Sequence, residues 1–431
     1  MFGYRIKTDI GTGVKSLDKI IMHIDANSAY LSWEAAYRLQ HGASEDLRKI
    51  PSVIGGDEES RHGIVLAKSI PAKKYGIKTG EPLVSVRQKC PHIVIVPPNY
   101  YLYMQCHNAM LEILRDFSPN VQVFSIDEAF IDYTGMEGIH GDPVSAANKL
   151  KNRIRDELGF TVNIGVSWNK LLAKMAGELK KPDMVHAILN EDEMREKMWP
   201  LPVEELFGVG RATAPKLHRL NIFTIGQLAQ ADSELLRFHL KSWGILIQNY
   251  ANGIENSLVA SGVRPPIKGI GNSCTIPFDV HTREEALKVL LSLCEMVGMR
   301  LRQAGFCARL VSVWLRKTDL TGNGHQRKFL VATDNTMKIY KIASELMDEL
   351  WSGKPLRGIG VRVSELVPCD VLQLSIFEKY DEKKKRLDET IDSLRMRFGS
   401  NAVFRSCFLG SGLSPVSGGV IDGFQMMTSL L

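Results

Sequence analysis

In the first half of the chain, short apolar runs alternate with segments whose apolar residues recur at the spacing of a helix. The apolar runs have the length and boundaries of strands and occur at residues 19–24, 51–54, 63–67, 121–124, 129–133 and 161–166. Helical periodicity or helix-end signals lie between them, at residues 26–40, 71–75, 100–117, 144–157 and 169–179. This mixture predicts an α+β sheet domain with helices on one face.

The second half divides into three parts. Residues 202–254 have a helical, short-looped pattern, and residues 255–267 carry the glycine and prolines of a linker. A second α+β unit follows to residue 368, with strands predicted at 311–315, 328–331 and 359–363 and a helix at 337–350. An amphipathic helix is predicted at 386–398, and the Gly- and Ser-rich end indicates nothing further.

Composition narrows the class of protein. A chain of 431 residues predicts two to four domains, and 44% hydrophobic with 24% charged residues excludes a disordered chain. No apolar run reaches the roughly 20 residues of a membrane helix, and residues 1–19 lack a signal peptide's apolar stretch. The seven scattered cysteines favour reduced, buried thiols in a cytoplasmic protein over disulfides or structural zinc.

Three acids follow or separate the predicted strands. Asp25 ends the first strand, and Asp127 and Glu128 lie between two others. Neighbouring strands are about 4.8 Å apart, so carboxylates at their ends can share one cation. Hard oxygen ligands of this kind suit Mg²⁺. The alternative for a lone acid such as Asp25 is a turn residue or a helix N-cap.

The motifs around these acids resemble a known family. They are Ile24-Asp-Ala-Asn-Ser-Ala-Tyr30, Ser125-Ile-Asp-Glu-Ala-Phe130 and Gly165-Val-Ser-Trp-Asn-Lys170. Together they resemble the Y-family translesion DNA polymerases, over residues 19–368. The resemblance implies that Asp25, Asp127 and Glu128 are catalytic and, with the carbonyl of Ala26, hold two Mg²⁺ ions, which Mn²⁺ can replace. Two-metal phosphoryl transfer needs such bridging carboxylates.

The resemblance also implies a nucleotide site formed by Ser28, Ala29, Tyr30, Lys73 and Lys181. Tyr30 would be the steric gate against a 2′-hydroxyl, the alternative being an aromatic residue of the core. Lys73 and Lys181 would contact the triphosphate. The chain departs from the polymerase IV pattern, because Ile70 and Lys73 stand where that pattern has Tyr and Arg. Lysine cannot grip phosphate bidentately, and this segment is closer to polymerase V-like, plasmid-borne relatives.

DNA contacts are expected in two places. Residues 206–217 are typical of a helix–hairpin–helix, in which Gly208, Gly210 and Arg211 approach a phosphate. Residues 266–368 hold 15 Lys and Arg against 10 Asp and Glu, so most of the net charge of +6 lies there. The candidate phosphate contacts in this unit are Lys268, Arg316, Lys317 and Arg362. A solvated charged face is the alternative.

The predicted fold is therefore α+β, a right-hand polymerase with palm, small fingers, helical thumb and a C-terminal α+β little finger. The expected division is a leader (1–18), palm (19–28 and 99–188), fingers (29–98), thumb (189–255), linker (256–267), little finger (268–368) and tail (369–431).

The tail contains a peptide similar to those with which bacterial polymerases bind the sliding clamp. Its anchors are Gln373, Leu374, Ile376 and Phe377. The highly charged residues 378–386 favour an exposed peptide over the alternative, a buried edge strand.

The function implied is low-fidelity, template-directed DNA synthesis past damaged bases. The expected partners are primer-template DNA, dNTPs and the clamp, with no membrane. A cytoplasmic monomer is expected, and the need for accessory subunits stays open. Two rival hypotheses are a nucleotide cyclase with the same two-metal chemistry and a non-catalytic DNA-binding protein.

Overall fold

A computed structural model describes residues 19–56, 63–260, 267–370, 382–399 and 401–411. The predicted leader lies outside the described residues. So do the four predicted anchors of the clamp peptide, which are Gln373, Leu374, Ile376 and Phe377.

Each strand and helix predicted between residues 19 and 368 has a counterpart in the described residues, and the structure adds others, among them a strand at Gly269–Val280 and a helix of 21 residues at Arg283–Gln303. The strands are β1 (Ile21–Ala26), β2 (Ser52–Gly55), β3 (Val65–Lys68), β4 (Val94–Val96), β5 (Val121–Val123), β6 (Glu128–Asp132), β7 (Val162–Ser167), β8 (Val185–Ala187), β9 (Gly269–Val280), β10 (Phe306–Lys317), β11 (Gly322–Thr333) and β12 (Leu356–Pro368). The helices are α1 (Ala29–Gln40), α2 (Ile70–Lys74), α3 (Leu83–Lys89), α4 (Tyr100–Phe117), α5 (Glu137–His140), α6 (Pro143–Leu158), α7 (Lys170–Glu178), α8 (Glu191–Met198), α9 (Ala214–His218), α10 (Ile225–Ala229), α11 (Ser233–Leu240), α12 (Ser242–Ala251), α13 (Arg283–Gln303), α14 (Thr336–Leu350) and α15 (Glu382–Phe398). Short 3₁₀ turns occur at Val203–Glu205 and Ser406–Phe408.

The first sheet has the order β5-β6-β1-β7-β8, with β1 at its centre and antiparallel to both neighbours. All six residues of β1 are buried, because both faces of the sheet are covered. Met22 and Ile24 point into the core that contains α4 and α6. Successive strand residues alternate between faces, so His23 and Asp25 point to the opposite side.

Helix α7 covers that opposite face. Gly165 of β7 makes its close approach possible, because a Cβ there would lie 1.9 Å from the carbonyl oxygen of Ala173 and 2.4 Å from the nitrogen of Gly177. Any larger residue would push α7 off the sheet. The expectation of helices on one face only was therefore wrong, since α7 lies on one side and α4 and α6 on the other.

A small sheet, β3-β2-β4, lies beside the first. Val53 packs with α2 and α3, whereas its neighbour Ile54 packs with Leu31 and Ala35 of α1. Helix α1 also inserts Ala29 and Trp33 into the core of the first sheet. It thereby joins the two sheets.

Helices α8 to α12 form the predicted helical unit. Their apolar side chains share one core with Leu171, Leu172 and Met175 of α7. The helical unit is thus packed directly against the first sheet's covering helix.

The second α+β unit has an antiparallel sheet of order β11-β10-β12-β9. Helices α13 and α14 cover one face, where Val311, Val313 and Leu315 are buried. The strands run longer than predicted because glycines and polar residues occupy the alternate, open-face positions.

Helix α15 begins four residues earlier than predicted and lies against α13. Arg302 of α13 reaches Asp392 through Nε at 2.6 Å, with both side chains buried. Glu295, also in α13, accepts from Arg395 Nη1 at 2.6 Å and from Arg405. Helix α15 and Arg405 are thus attached to the second α+β unit.

The segment that leaves the helical unit is fastened to the first sheet. Asn169 caps α7 through its side-chain oxygen, and its Nδ2 donates to the carbonyl of Gly253 at 2.8 Å. The buried Lys170 donates to the carbonyl of Leu258 at 3.1 Å and contacts Gln122 Oε1 at 3.3 Å. The motif at residues 165–170 therefore holds residues 253–260, the described start of the predicted linker.

Candidate active site

The three predicted acids meet at the end of the first sheet. Asp25 of β1 is paired directly with Glu128 of β6. Asp127 lies in the tight connection between β5 and β6, which is closed by a bond from Phe124 N to Glu128 O of 3.0 Å. The nitrogen of Ala26 donates to the carbonyl of Asp127 at 2.9 Å and fixes this turn to β1. The strand pairing thus gathers three carboxylates at one sheet end.

Basic side chains from α7 and the loop after it lie against these acids. Lys174 Nζ and His23 Nε2 both contact Oε2 of Glu128, the latter at 3.2 Å. Lys181 Nζ contacts Oδ2 of Asp25 and lies 2.8 Å from Glu178 Oε1. The cluster is therefore partly neutralised by the protein itself.

Burial and neighbouring charges shift the pKa values of the three acids in different directions. Burial raises the pKa of Asp25 to about 7, against the opposing charge of Lys181. Burial also raises the pKa of Asp127. For Glu128 burial acts in the same direction, but the hydrogen bond with His23 and the charge of Lys174 outweigh it and lower the pKa to about 2. Two of three clustered carboxylates thus resist ionisation, which a bound cation would reverse.

This donor set fits a divalent metal ion. Three carboxylates on rigid elements offer the hard oxygen atoms that Mg²⁺ prefers. Burial is the main cause of the raised pKa values of Asp25 and Asp127, so a cation bound between them would favour their ionised forms. Asp25, Ala26, Asp127 and Glu128 all line one cavity, so a ligand has access to them.

The cavity above the acids has a volume of about 850 Å³. It brings together every residue predicted for the nucleotide site. These lining residues are Ser28, Ala29, Tyr30, Lys73 and Lys181. Ile70, at the position where the polymerase IV pattern has a tyrosine, lines the cavity too and is 51% exposed.

Tyr30 is both a packed aromatic residue and part of the cavity wall. Its ring stacks on Tyr103, with centroids 4.5 Å apart and planes 9° apart. It meets Tyr100 edge-on at 6.1 Å. The rigid stacking fixes the ring's position, while its half-buried state leaves one side to the cavity.

The first turn of α1 faces the same space. Ser28 precedes the helix in a left-handed conformation, with φ of 49°, and makes no side-chain cap. The serine thus bends the chain from β1 into α1 beside Asp25. Backbone N–H groups at such a helix start favour an anion.

Sequence reasoning missed Arg48, which lines the cavity, and His23 and Lys174, which contact Glu128. Arg48 is oriented by Asp46 at 2.9 Å and by the carbonyl of Gly159 at 2.7 Å. His23 and Lys174 hold Glu128. His23 had a readable signal, since it precedes Asp25 by two residues and so shares its face of β1. Arg48 and Lys174 come from other elements, and only the fold brings them close.

The open face of the second sheet carries two of the predicted DNA contacts. Arg316 lies opposite Gly358, and Arg362 lies opposite Ser312 and Gly271. Trp314, which was not predicted, shares this face and is 41% exposed. Lys317 is half-buried beyond a register shift, and Lys268 is exposed just before β9. In the helical unit, Arg211 and Gly210 are exposed, and Gly208 has a φ of +92°.

Among the described residues, none of the helices combines the length and apolar character needed to cross a membrane.

Comparison with known families places three matches along the chain. A model of the impB/mucB/samB family matches residues 24–178, and one of that family's C-terminal domain matches residues 267–376. The HHH motif of the IMS family matches residues 191–222, which include the predicted helix–hairpin–helix. The predicted family is confirmed.

Curated relatives match over almost the whole chain. DNA polymerase IV of Clostridium acetobutylicum is 46% identical over 398 residues, 91% of this chain and 99% of that protein. DNA polymerase IV of Moorella thermoacetica is 39% identical, covering 92% of this chain and 98% of that protein. DNA polymerase IV 2 of Bacillus subtilis is 35% identical, with 91% and 95% covered. All three relatives are named DNA polymerase IV or DNA polymerase IV 2. This chain nevertheless has Ile70 and Lys73 where the polymerase IV pattern has tyrosine and arginine.

Solved structures show the same fold at low identity. A Y-family DNA polymerase chimera of Dbh and Dpo4 superposes with a TM-score of 0.69 at 23% identity, covering 81% of this chain and 99% of that chain. DinB from Sulfolobus solfataricus superposes with a TM-score of 0.52 at 23% identity, with 80% and 98% covered. The predicted α+β right-hand fold is confirmed.

Proposed function

The chain belongs to the impB/mucB/samB family, and from that premise we propose that it is a DNA-directed DNA polymerase that copies damaged templates with low fidelity. The observation that carries the proposal is the cavity of about 850 Å³. Its floor holds three carboxylates, and its walls hold Tyr30, Lys73 and the first turn of α1. This is the chemistry that a deoxynucleoside triphosphate and a primer end require.

The acids would hold divalent cations, and the residues around them would hold the substrate. Bound by Asp25, Asp127, Glu128 and the carbonyl of Ala26, two Mg²⁺ or Mn²⁺ ions would lower the pKa of the primer 3′-hydroxyl and neutralise the triphosphate. Lys174 and His23 keep Glu128 ionised and oriented.

Lys181 and Lys73 would supply positive charge for the triphosphate from two different elements. Lys181 reaches into the cavity from the loop after α7, and Lys73 from the last turn of α2. Ser28 and Ala29 present the start of α1 to the same phosphates. Tyr30, fixed by Tyr103, would lie beneath the sugar and exclude a 2′-hydroxyl.

The rest of the molecule would hold primer-template DNA. The helix–hairpin–helix, with Gly208, Gly210 and Arg211, would contact the backbone without reading sequence. The open face of the second sheet would add Arg316 and Arg362, and Lys268 and Lys317 would contribute charge at its edge. Phosphate contacts of this kind make binding weaken steeply with salt.

These roles support the division into palm (19–28 and 99–188), fingers (29–98), thumb (189–255), linker (256–267) and little finger (268–368). We infer further that the chain works as a monomer in the bacterial cytoplasm, associated with the nucleoid while engaged. There it would board the sliding clamp through Gln373, Leu374, Ile376 and Phe377.

Primer extension on intact and damaged templates tests the proposal. The parent should add nucleotides opposite both, whereas Asp127→Ala should lose at least about 10³-fold in rate, as when an electrostatic group at the reacting centre is removed. Asp156→Ala is the matched control, because this acid is exposed on α6 and outside the cavity. A cyclase assay on the same preparations separates the rival chemistry. Extension by Asp127→Ala at the parental rate would refute the site.

A further inference from the structure

Two thiols and a carboxylate from three separate segments meet at one end of the second sheet. Cys307 is the second residue of β10, Asp334 follows β11, and Cys369 follows β12. The antiparallel pairing of β10 with β12 brings the cysteines together, and Cys369 N donates to Gly305 O at 3.0 Å.

The distances within this cluster suit a shared ligand. The two sulfur atoms are 2.9 Å apart, and Cys369 Sγ lies 3.8 Å from Asp334 Oδ2. The ligand atoms of all three residues lie within 4.8 Å of one another. A tetrahedral zinc site has Zn–S bonds of about 2.3 Å and Zn–O bonds of about 2.0–2.2 Å. Small side-chain rotations therefore convert this cluster into such a site.

We propose that Cys307, Asp334 and Cys369 bind Zn²⁺, with water as the fourth ligand. Cys307 is buried, while Asp334 and Cys369 are partly exposed, so the ion and the water can reach the cluster. Two thiolates and one carboxylate are a donor set that selects Zn²⁺ over Mg²⁺. The site lies in the second α+β unit, apart from the three acids of the first sheet. It departs from the sequence-based expectation of reduced, buried thiols, and the burial part of that expectation is wrong for Cys407, which is exposed.

The surroundings set the conditions for binding. Burial raises the pKa of both thiols, and the nearby Lys385 opposes this. The thiols therefore keep their protons until a metal displaces them. Lys385 belongs to α15 and is 34% exposed, so its charge is screened by solvent.

A disulfide is the competing outcome of the same geometry. It would form with loss of two protons and two electrons to an oxidant such as a small-molecule disulfide. Asp334 favours the ion, because a carboxylate beside two sulfurs gives a cation a third ligand but has no part in a disulfide.

Zinc here would tie together the start of β10, the end of β11 and the residue after β12. The last of these, Cys369, lies where the chain leaves the second sheet towards residues 371–381. The ion would therefore fasten the exit of the chain from the sheet.

Metal content and cadmium titration of the reduced, full-length protein test the site. Measured in excess Mg²⁺, which occupies the acids of the first sheet, the parent should bind one thiolate-coordinated ion. Cd²⁺ should produce the ultraviolet thiolate-to-cadmium band, and zinc should be retained through gel filtration. Cys369→Ser should abolish both signals, and Asp334→Asn should weaken zinc binding at least about tenfold.

Cys274→Ser is the matched control, because it removes a thiol of the same sheet outside the cluster. It should keep both signals. Cys369→Ser is preferred to the buried Cys307→Ser, which risks misfolding, and its basal primer extension should equal that of the parent. No thiolate-to-cadmium band in the reduced parent would overturn the proposal. So would an unchanged band in Cys369→Ser, or a parent that, before reduction, is metal-free and has a mass lower by two hydrogens.

Discussion

Lys181 Nζ lies against Oδ2 of Asp25, so the lysine expected to meet the triphosphate also neutralises one of the acids. Glu178 holds the same ammonium group from the other side at 2.8 Å. In the proposed reaction, Lys181 would have only to turn from the carboxylate to a phosphate when substrate and cations bind. Asp25 and Glu178 therefore hold the ammonium group of Lys181 in the site before a substrate binds.

Lys181→Met should raise the KM for dNTP about tenfold, equivalent to roughly 1.4 kcal/mol of lost binding. The substitution removes the ammonium group, whereas methionine preserves the packing of the aliphatic part of the side chain. Steady-state single-nucleotide incorporation measures it. Lys180→Met is the control, because Lys180 is exposed and does not line the cavity. Equal KM values for the two variants would show that Lys181 serves Asp25 alone.

Tyr30→Ala should admit ribonucleotides, improving their use relative to dNTPs at least about tenfold, or ~1.4 kcal/mol. The ring that blocks the 2′-hydroxyl is removed. Lost stacking on Tyr103 should also lower stability by about 0.5–1.5 kcal/mol beyond the buried area. Tyr30→Phe keeps the ring and should keep the discrimination. If Tyr30→Ala loses stability yet still rejects ribonucleotides, Tyr30 is only a packing residue.

Lys170→Met should weaken binding of primer-template DNA by about tenfold and lower the melting temperature only slightly. Lys170 is buried and donates a hydrogen bond to the carbonyl of Leu258. Its loss would therefore release the segment that connects the helical unit to the second α+β unit. Methionine removes the cost of burying the ammonium group, which offsets part of the stability lost with its two hydrogen bonds. Fluorescence anisotropy and thermal melting check the two effects. The exposed Lys149→Met controls for the lost charge, and equal affinities for both variants would argue against the positioning role.

Leu374→Ala combined with Phe377→Ala should abolish clamp-dependent processivity and spare extension on short primer templates. Two apolar anchors contribute roughly 1.5–3 kcal/mol each before ordering costs, which gives about micromolar binding. Extension with and without loaded clamp, and melting of the same preparation, provide the measurement. Joint loss of stability and basal activity would instead identify a buried edge strand.

Much of the fold was readable because local signals agreed with the tertiary structure. Helix α4 has the predicted bounds, since Asn99 caps it and its apolar side chains share one face. The acids at 25, 127 and 128 were readable from strand ends and motifs. Lys174, which contacts Glu128, and Arg48, which lines the cavity, were not, because only the tertiary fold brings them to the site.

The C-terminal half shows the same limit. Helix α15 was predicted from residue 386, because the charged residues before it indicated exposure. The structure begins it at Glu382 and buries Asp388, Asp392 and Arg395 against the second unit. Buried charges cannot be recognised in a sequence until their partners, such as Arg302 and Glu295, are known.

The attachment of α15 to α13 bears on where a clamp could be held. Asp370, before residues 371–381, and Glu382, after them, both belong to the described structure, and α15 is joined to α13 by buried ion pairs. A partner bound to residues 373–377 would therefore be tethered to the second α+β unit on both sides of the peptide. Covalent geometry limits the extended length of each connecting segment to about 3.3–3.6 Å per residue. The clamp would be kept within a few nanometres of the second sheet, so polymerase and clamp would travel along DNA as a coupled pair.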